Sequence, residues 1–308
     1  MTSSTSRRPG RRWVRTLVLG VVLAVGLVAV PDSGVKPSDV VLVEVERATS
    51  LDTNPDVLWI LAVGSDARPG ETMTRTRGDA IQLVGINTKT GAASAIGIPR
   101  DSYVPIPGYG SDRVNAAMTF GGPQLLGRTV GNLIGVQPDY VLVAGFPTFR
   151  RLIAGIGGIT VDNPREFSDT YLEKEGFPVG RINLNDEEAL AFARIRKSLP
   201  AGDFDRSANQ QRVLRGIQQK IRQKAGTRGF LARGVLSVID NMDTRGASPA
   251  VLFRIAHAVA ALKPSKFTTC VLQGAIGNVG GASVVLPYTE QAKRFGNQAR
   301  NDATLEGC

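Results

Sequence analysis

The sequence predicts an α/β protein: a layered α-β-α domain with a central mixed β-sheet, preceded by one N-terminal transmembrane helix. Short apolar runs typical of buried strands alternate with amphipathic helical patterns along most of the chain, which is the order found in layered α/β folds. Two consecutive strand patterns are joined by a tight turn, so we expect an antiparallel hairpin and therefore a mixed sheet. An uncharged apolar run near the N-terminus predicts the transmembrane helix.

The N-terminal region combines a basic tail with this apolar run. Residues 1–15 contain five arginines and no acidic residue, and they account for half of the formal net charge of +10. The rest of the chain is only mildly basic, which argues against nucleic-acid binding. Residues 16–30 are predicted to be a membrane anchor, with the basic tail in the cytoplasm and everything after the anchor outside. A cleaved signal peptide is the alternative because the run is short, although no A-x-A cleavage site precedes Pro31.

The remaining chain is divided into a stalk and one large domain. Residues 31–56 are predicted to be an extracytoplasmic stalk with a short helix over 38–49, and residues 57–308 to form the domain. Strands are expected over 57–63, 79–87 and 92–98, followed by a loop rich in proline and glycine over 104–110. The later patterns predict helices over 115–120, 123–134, 147–154, 231–239, 249–262 and 289–298, strands over 140–144, 159–161 and 267–272, and a glycine-rich segment before the last helix.

The stretch 186–211 separates two helical patterns and is rich in arginine. Asn185 and Glu188 have the spacing of a capping box, so a helix is expected to begin here and to end before the next proline. Beyond that helix the chain is expected to be extended, which lets Arg194 and Arg196 point in the same direction. Two guanidinium groups aimed together bind a multiply charged anion such as phosphate or pyrophosphate. The alternative is a solvated basic helix end, where arginine also suits the helix dipole.

The helix that follows carries a polar residue on its apolar face. Val213 and Ile217 belong to an apolar stripe at helical spacing, and Gln210 falls on the same stripe. A buried glutamine must find hydrogen-bond partners or cost stability, so Gln210 is either a satisfied core amide or a group that lines a site. Arg206 lies one turn earlier and follows Gln210 to the same side.

Charged residues also stand at the ends of the first three predicted strands. Asp66 follows the first strand, Arg77 and Asp79 enter the second on one face, and Arg100 ends the third. Each alone is typical of a solvated strand end. Together with the arginines of the central stretch they predict an arginine-lined pocket with two carboxylates, which suits a phosphate bridged by Mg²⁺ (or Mn²⁺), because Mg²⁺ takes one or two carboxylates plus phosphate oxygens.

Seven segments, in order between about residues 57 and 290, resemble the LytR-CpsA-Psr family of bacterial envelope proteins: LAVGSDAR, RGDAIQLVGINTKTG, IGIPRDSYVPIPGYG, RVNAAMTFGGP, DYVLVAGF, GGITVDNP and AFARIRKSLPAGDFDRSANQQ. The resemblance implies a phosphotransferase anchored in the cell membrane by a single span, with its catalytic domain over 57–308 outside the cytoplasm. Such enzymes move a glycopolymer from a polyprenyl-pyrophosphate carrier to peptidoglycan. Apolar helix segments are then expected to line a tunnel for the polyprenyl tail.

The resemblance also implies roles for individual residues. Metal coordination falls to Asp66 and Asp79. Both pyrophosphate binding and catalysis are assigned to the four arginines Arg77, Arg100, Arg194 and Arg196. Asp79 and Asp203 complete the catalytic residues. Arg206 and Gln210 complete the residues that bind the substrate. Asp203 or Asp101 is expected to accept the proton of the attacking sugar hydroxyl. Two positions depart from the family pattern: Gly78 stands where the family usually has Ser or Thr, and Asn209 stands where it frequently has Arg. Neither departure removes a core group of the predicted pocket.

Several alternatives stay open at the level of sequence. The same residues suit a hydrolase that cleaves the lipid-linked pyrophosphate without an acceptor, and a lipid-binding module without catalysis is a further candidate. A transcriptional regulator is disfavoured because no helix-turn-helix signature is found. Cys270 and Cys308 either pair outside the cell or remain two free thiols. The transferred polymer is not determined: teichoic acid, capsule and, for a Gly- and Arg-rich chain of actinobacterial character, arabinogalactan are the candidates.

Overall fold

The computed structural model describes residues 40–45, 54–68, 70–234, 243–245 and 248–308. The predicted basic tail and anchor lie outside the described residues, as do positions 235–239 of the helix predicted over 231–239. Among the described residues, no helix is both long enough and apolar enough to span a membrane.

Seven strands form the central sheet: β1 (Val40–Glu44), β2 (Val57–Ser65), β3 (Gly78–Asn87), β4 (Ala93–Gly97), β7 (Tyr140–Gly145), β12 (Asp243–Arg245) and β13 (Phe267–Val271). Their spatial order is β12-β1-β7-β2-β3-β4-β13. The pairs β1–β12, β2–β7 and β4–β13 are parallel, whereas β1–β7, β2–β3 and β3–β4 are antiparallel. The prediction of a mixed sheet with a β3–β4 hairpin is therefore confirmed.

Among the described residues, eight further strands form two-stranded sheets: β5 (Tyr103–Ile106) with β6 (Gly110–Arg113), β8 (Ile159–Asn163) with β11 (Gly180–Leu184), β9 (Phe167–Asp169) with β10 (Glu173–Phe177), and β14 (Gly274–Val279) with β15 (Ala282–Pro287). The α-helices that lie wholly within the described residues are α1 (Ala116–Ile134), α2 (Phe146–Ile156), α3 (Asp186–Arg194), α4 (Asp203–Ala225), α5 (Pro249–Ala261) and α6 (Thr289–Ala299), and residues 230–234 are helical as well. Helix α1 is kinked at Gly122, whose φ of 69° is not helical. This kink separates the two helices predicted over 115–120 and 123–134.

Helices cover both faces of the central sheet. On one face, α1 and α6 bury residues such as Leu126 and Phe295 in a core shared with Leu61 of β2 and Leu83 of β3. On the other face, α5 packs against β3 and β4, and α4 runs across β3, β4 and β13. This arrangement confirms the predicted layered α-β-α architecture.

The interior of the sheet requires a glycine at one position of β3. Gly85 pairs with Trp59 of β2, which is almost fully buried. A Cβ atom on Gly85 would lie 2.6 Å from the indole ring, closer than side-chain atoms approach one another. The glycine therefore makes room for the largest buried side chain of the strand beside it.

Two predictions about local structure are wrong. The helix expected over 38–49 is replaced, at its described residues, by strand β1, which lies between β7 and β12 in the central sheet and buries its four valine and leucine residues while Glu44 is exposed. This strand lies in the segment that was expected to be a stalk. The loop expected over 104–110 is instead part of the β5–β6 hairpin. The glycine-rich segment before α6, for which the sequence gives no secondary-structure prediction, forms the β14–β15 hairpin. Short apolar runs do not distinguish a strand from a helix segment by periodicity alone.

A disulfide joins Cys270 of β13 to Cys308 at the end of the sequence. The residues before Cys308 are held as well, since Ala303 and Leu305 are buried in the core with α1 and α6. The sequence left open whether these cysteines pair or remain free thiols, and in the structure they are paired.

Candidate active site

Three strand ends bring charged side chains to one edge of the central sheet. Asp66 directly follows β2, Asp79 is the second residue of β3, and Arg100 lies three residues beyond β4. Because β3 runs antiparallel to both neighbours, the end of β2, the start of β3 and the end of β4 meet at the same edge. The sheet thus brings together the strand-end residues that the sequence singled out.

Asp66, Asp79 and Arg100 interact through their charges. The Arg100 guanidinium forms an ion pair with the Asp79 carboxylate, and both side chains are mostly buried. Burial is the largest single influence on Arg100 and by itself lowers its pKa, but the charge and hydrogen bond of Asp79, together with the charges of Asp101 and Asp203, raise that pKa overall. Burial raises the pKa of Asp66, and the Asp79 charge raises it further. Arg77 is exposed, and its charge opposes the rise in the pKa of Asp66.

The first turn of α4 closes the site from the side of the central stretch. Asp203 is the first residue of α4, and its carboxylate accepts a 3.1 Å hydrogen bond from the backbone N–H of Arg100. The same carboxylate forms an ion pair with Arg206, one turn along the helix. Burial raises the pKa of Asp203 although Arg206 opposes the rise, and burial lowers the pKa of Arg206 although Asp203 opposes the fall. Two residues of the central stretch therefore reach the strand ends.

Asp101 lies at the centre of three arginines. Its carboxylate oxygens are 3.8 Å from Arg100 Nε, 3.8 Å from Arg113 Nη1 and 3.7 Å from Arg196 Nη1. Arg196 Nη1 also lies 4.0 Å from Asp203 Oδ1. The backbone carbonyl of Asp101 accepts a 2.9 Å hydrogen bond from the N–H of Val285, so β15 fixes the residue from outside the central sheet. Asp101 thus connects the β4 end, the β5–β6 hairpin and the segment after α3.

These arginines keep unused hydrogen-bonding capacity. The distances of Arg113 and Arg196 to the carboxylates exceed the range of about 2.7–3.2 Å for an N–H···O hydrogen bond. Arg100 Nε is buried and finds no hydrogen-bond acceptor among the described residues. An anion with several oxygens supplies acceptors for such groups, and arginine forks bind phosphate oxygens in pairs. The geometry therefore suits a multiply charged phosphate ligand.

Arg194 and Arg196 have separate partners. Helix α3 has the predicted capping box at Asn185 and ends at Arg194, after which the extended Ile195 is buried. The guanidinium of Arg194 lies over the ring of Phe146, 4.5 Å from its centroid, at the start of α2. Arg196 instead faces Asp101. The described contacts do not bring Arg194 into the cluster, because it is still helical and Arg196 is not, so its role in pyrophosphate binding stays a prediction.

A buried network of amides attaches α4 to the sheet beneath this cluster. Gln82 of β3 donates to Ser207 Oγ and Gln210 Oε1, both at 3.1 Å. Gln210 donates in turn to the carbonyl of Ala193 at 3.3 Å. Gln211 donates to Gln82 Oε1 at 3.2 Å and to the carbonyl of Cys270 at 2.7 Å. Gln210 is therefore a core amide whose hydrogen bonds are satisfied, which was one of the two alternatives. Its expected contact with substrate stays a prediction.

Sequence reasoning missed Arg113 and Gln82. Gln82 stands between two buried apolar residues in the interior of a strand pattern, and that position was a usable signal of a buried polar network. Arg113 gave no comparable signal, because its hairpin was interpreted as the end of a loop. Its proximity to Asp101 depends on how β6 docks, which is a tertiary property.

The family assignment follows from comparison with known proteins. The model of the LytR_cpsA_psr family matches residues 34–301. The chain belongs to the LytR-CpsA-Psr family. Among curated relatives of this LytR-CpsA-Psr protein, the polyisoprenyl-teichoic acid–peptidoglycan teichoic acid transferase TagU of Bacillus subtilis (strain 168) is 38% identical over 167 residues. The match covers 54% of this chain and 52% of TagU, so the chain spans about half the length of the curated relatives it matches.

Solved structures of LytR-CpsA-Psr proteins have the same fold. A structure of TagT bound to LIIa-WTA is 26% identical in sequence and superimposes with a TM-score of 0.65. The match spans 84% of this chain and 96% of the TagT chain. A structure of the LytR-CPS2A-psr family protein YwtF (TagT) with bound octaprenyl pyrophosphate lipid is 24% identical in sequence and superimposes with a TM-score of 0.62. This match spans 84% of this chain and 95% of the YwtF chain. Because YwtF is only 24% identical, its similarity to this chain supports the fold and nothing further.

The carboxylates of the site fit a hard divalent cation that also binds a ligand. Within the described ranges, no three acidic, histidine or cysteine side chains form a cluster that could hold a metal by themselves. Asp66 and Asp79 are nonetheless close enough for the charge of one to raise the pKa of the other. Mg²⁺ needs only one or two protein carboxylates when phosphate oxygens and water complete its six positions. The donor set of this LytR-CpsA-Psr protein therefore fits such an ion together with a phosphate ligand.

Proposed function

We propose that this protein transfers a glycopolymer from a polyprenyl-pyrophosphate carrier to peptidoglycan, on the outer side of the cell membrane and with Mg²⁺ or Mn²⁺. The observation that carries the proposal is the cluster at the sheet edge, where the arginines around Asp101 keep free donors beside the pair Asp66 and Asp79. The name of the curated relative TagU supports the reaction class. The membrane anchor over 16–30 and the tunnel for the polyprenyl tail belong to the same proposal.

Binding of the pyrophosphate falls to the arginines with unsatisfied donors. Arg100, Arg113 and Arg196 come from three separate elements and surround one carboxylate, so their guanidinium groups are already oriented before a ligand binds. Preorganised cations stabilise charge that develops on a leaving phosphate more than flexible ones do. We assign the exposed Arg77 to the rim of the same pocket, beside Asp66.

Asp66 and Asp79 would hold the metal ion. The ion would neutralise part of the phosphate charge, which phosphoryl transfer requires. Arg100 forms an ion pair with Asp79 and so fixes the orientation of that carboxylate. This contact explains why Arg100 serves both the metal site and the anion site.

Asp101 is our choice for the group that accepts the proton of the attacking sugar hydroxyl. Asp203 is the alternative, but its carboxylate already accepts from the backbone of Arg100 and contacts Arg206. The side-chain oxygens of Asp101 have ion-pair neighbours only at 3.7–3.8 Å, which leaves their lone pairs available. Asp203 then acts by holding Arg206 and the Arg100 backbone in place.

The test measures both products of the reaction. Full-length protein in detergent is given a synthetic polyprenyl-pyrophosphate-linked glycan, Mg²⁺ and peptidoglycan, and release of polyprenyl phosphate and attachment of glycan are followed. Arg196→Ala and Asp79→Asn should each abolish attachment. Arg150→Ala and Asp186→Asn are matched controls, because Arg150 and Asp186 form an ion pair of similar exposure on α2 and α3.

The outcomes separate the proposal from its rivals. Attachment that requires Mg²⁺, is lost in both site variants and persists in both controls supports the transferase. Release without attachment would instead indicate a hydrolase. Tight binding of the lipid without release of polyprenyl phosphate would indicate a binding module, and equal activity of Arg196→Ala and wild type would remove the cluster from the reaction.

A further inference from the structure

Two stacked aromatic rings are exposed beside the charged cluster. Tyr109 lies in the turn between β5 and β6, and Phe120 lies in the first turns of α1. Their ring centroids are 5.0 Å apart and the planes are inclined by 16°. The residues are 55% and 37% exposed. Contiguous apolar surface that is exposed to solvent is a feature of ligand-binding and protein-interaction sites.

Short segments connect this pair to the site. Tyr109 is four residues before Arg113, which spans at most about 14 Å of extended chain, and Arg113 faces Asp101. The carbonyl of Phe120 accepts a 2.9 Å hydrogen bond from Arg75 Nη1, and Arg75 is two residues before Arg77. The rings therefore lie within a few sugar units of the proposed proton acceptor.

We propose that Tyr109 and Phe120 form a platform on which a sugar ring of the peptidoglycan acceptor stacks while its hydroxyl reaches Asp101. The inference rests on the proposed function. The face of an aromatic ring is electron-rich, and the C–H groups on one face of a pyranose carry partial positive charge, so the two surfaces attract. Hydroxyl groups of the sugar find partners at the rim, where the Tyr109 hydroxyl and Arg75 lie.

A cavity next to Phe120 extends the platform. It has a volume of about 320 Å³ and is lined by Glu44, Thr74, Arg75, Gly121, Gly122 and Gln124, among others. The kink at Gly122 opens α1 at this point, since φ there is 69°. The lining combines amide, hydroxyl and charged groups and bare backbone with the apolar residues Val43 and Pro123. Such a lining suits the acetamido and lactyl substituents that the amino sugars of peptidoglycan carry.

The acceptor has more need of such a platform than the donor. The donor glycan is covalently joined to a pyrophosphate, whose charge supplies affinity in the arginine cluster. The acceptor brings no comparable charge to the reacting centre. Its affinity and the orientation of its hydroxyl must come from contacts outside that centre, and holding a reactant in position is a large part of catalysis.

The first experiment measures acceptor binding without any donor. Full-length protein in detergent is sedimented with purified peptidoglycan sacculi, and the bound fraction is titrated. Tyr109→Ala should weaken binding about five- to tenfold, the size expected for one aromatic stacking contact, and Tyr109→Trp should retain it. Tyr171→Ala is the matched control, because Tyr171 is 93% exposed on the turn between β9 and β10. Unchanged melting temperatures of the variants establish that they are folded.

The second experiment measures transfer kinetics. Tyr109→Ala should raise KM for the peptidoglycan acceptor by a similar factor, with KM for the lipid donor unchanged. Wild-type affinity of Tyr109→Ala for sacculi, no binding of wild type, or an equal loss in Tyr171→Ala would overturn the platform. If Tyr109→Ala raised KM for the lipid donor alone, this result would also overturn the platform and would indicate that the two rings contact the lipid donor. Tyr109-dependent binding by a protein that never transfers glycan would support the platform and refute the proposed function.

Discussion

Loss of the disulfide should destabilise the domain by an amount that its sequence separation determines. Cys270 and Cys308 are 38 residues apart, and closing a loop of this length in the unfolded chain corresponds to about 4 kcal/mol of stability. We propose Cys308→Ser as the perturbation, because Cys308 is exposed whereas Cys270 is buried. Ala303 and Leu305 stay buried in the variant, so the tail remains docked and we expect a loss of about 2–4 kcal/mol. For a domain of this size that loss lowers Tm by about 4–16 °C.

The assay is thermal unfolding followed by circular dichroism, with and without reductant. Wild type without reductant should melt highest, and reduced wild type should melt close to Cys308→Ser. The variant itself should not respond to reductant, which serves as the internal control. A Tm decrease below about 2 °C in the variant, or an equal response of variant and wild type to reductant, would refute the reasoning that the crosslink restricts the unfolded chain.

Three further predictions concern the site and the sheet. Arg206→Met should cost about 3–5 kcal/mol in urea unfolding, because it leaves the buried Asp203 carboxylate without its ion-pair partner; a loss below about 1 kcal/mol would contradict this. Gly97→Ala should cost about 1–3 kcal/mol in the same assay, because its Cβ would collide with Ser207 Oγ and displace α4. Burial raises the pKa of Tyr140 above 10.0, so the unfolded chain ionises first and stability falls as the pH rises past that value. Tyr140→Phe should lose less Tm than wild type between about pH 9 and pH 11.

Local patterns predicted much of the fold. The capping box at Asn185, the hairpin of β3 and β4, and the helices around them depend on residues close in sequence. Strand β1 could not be predicted in the same way, because it is short and is stabilised by β7 and β12, which lie far away in the chain. Its VVLVE sequence acquires a strand environment only when those partners are present.

The candidate site was predictable in its charges but not in its connections. Asp66, Asp79 and Arg100 stand at strand ends, and antiparallel pairing of neighbouring strands is sufficient to bring them together. The position of Arg113 beside Asp101 depends on the docking of a hairpin, and the separation of Arg194 from Arg196 depends on the last helical residue of α3. Helix ends shift by one or two residues for small energies, so sequence alone does not fix the direction of a terminal side chain.

Under the proposed function, the place of β1 in the central sheet limits the distance between the site and the membrane. With the proposed anchor over 16–30, only the nine residues 31–39 connect it to the sheet, and nine residues span at most about 30 Å. The stalk expected over 31–56 would have allowed about 90 Å. The short tether excludes the outer layers of a thick wall from direct reach. Under the proposed function, the acceptor strands within reach of this site are therefore those that lie close to the membrane.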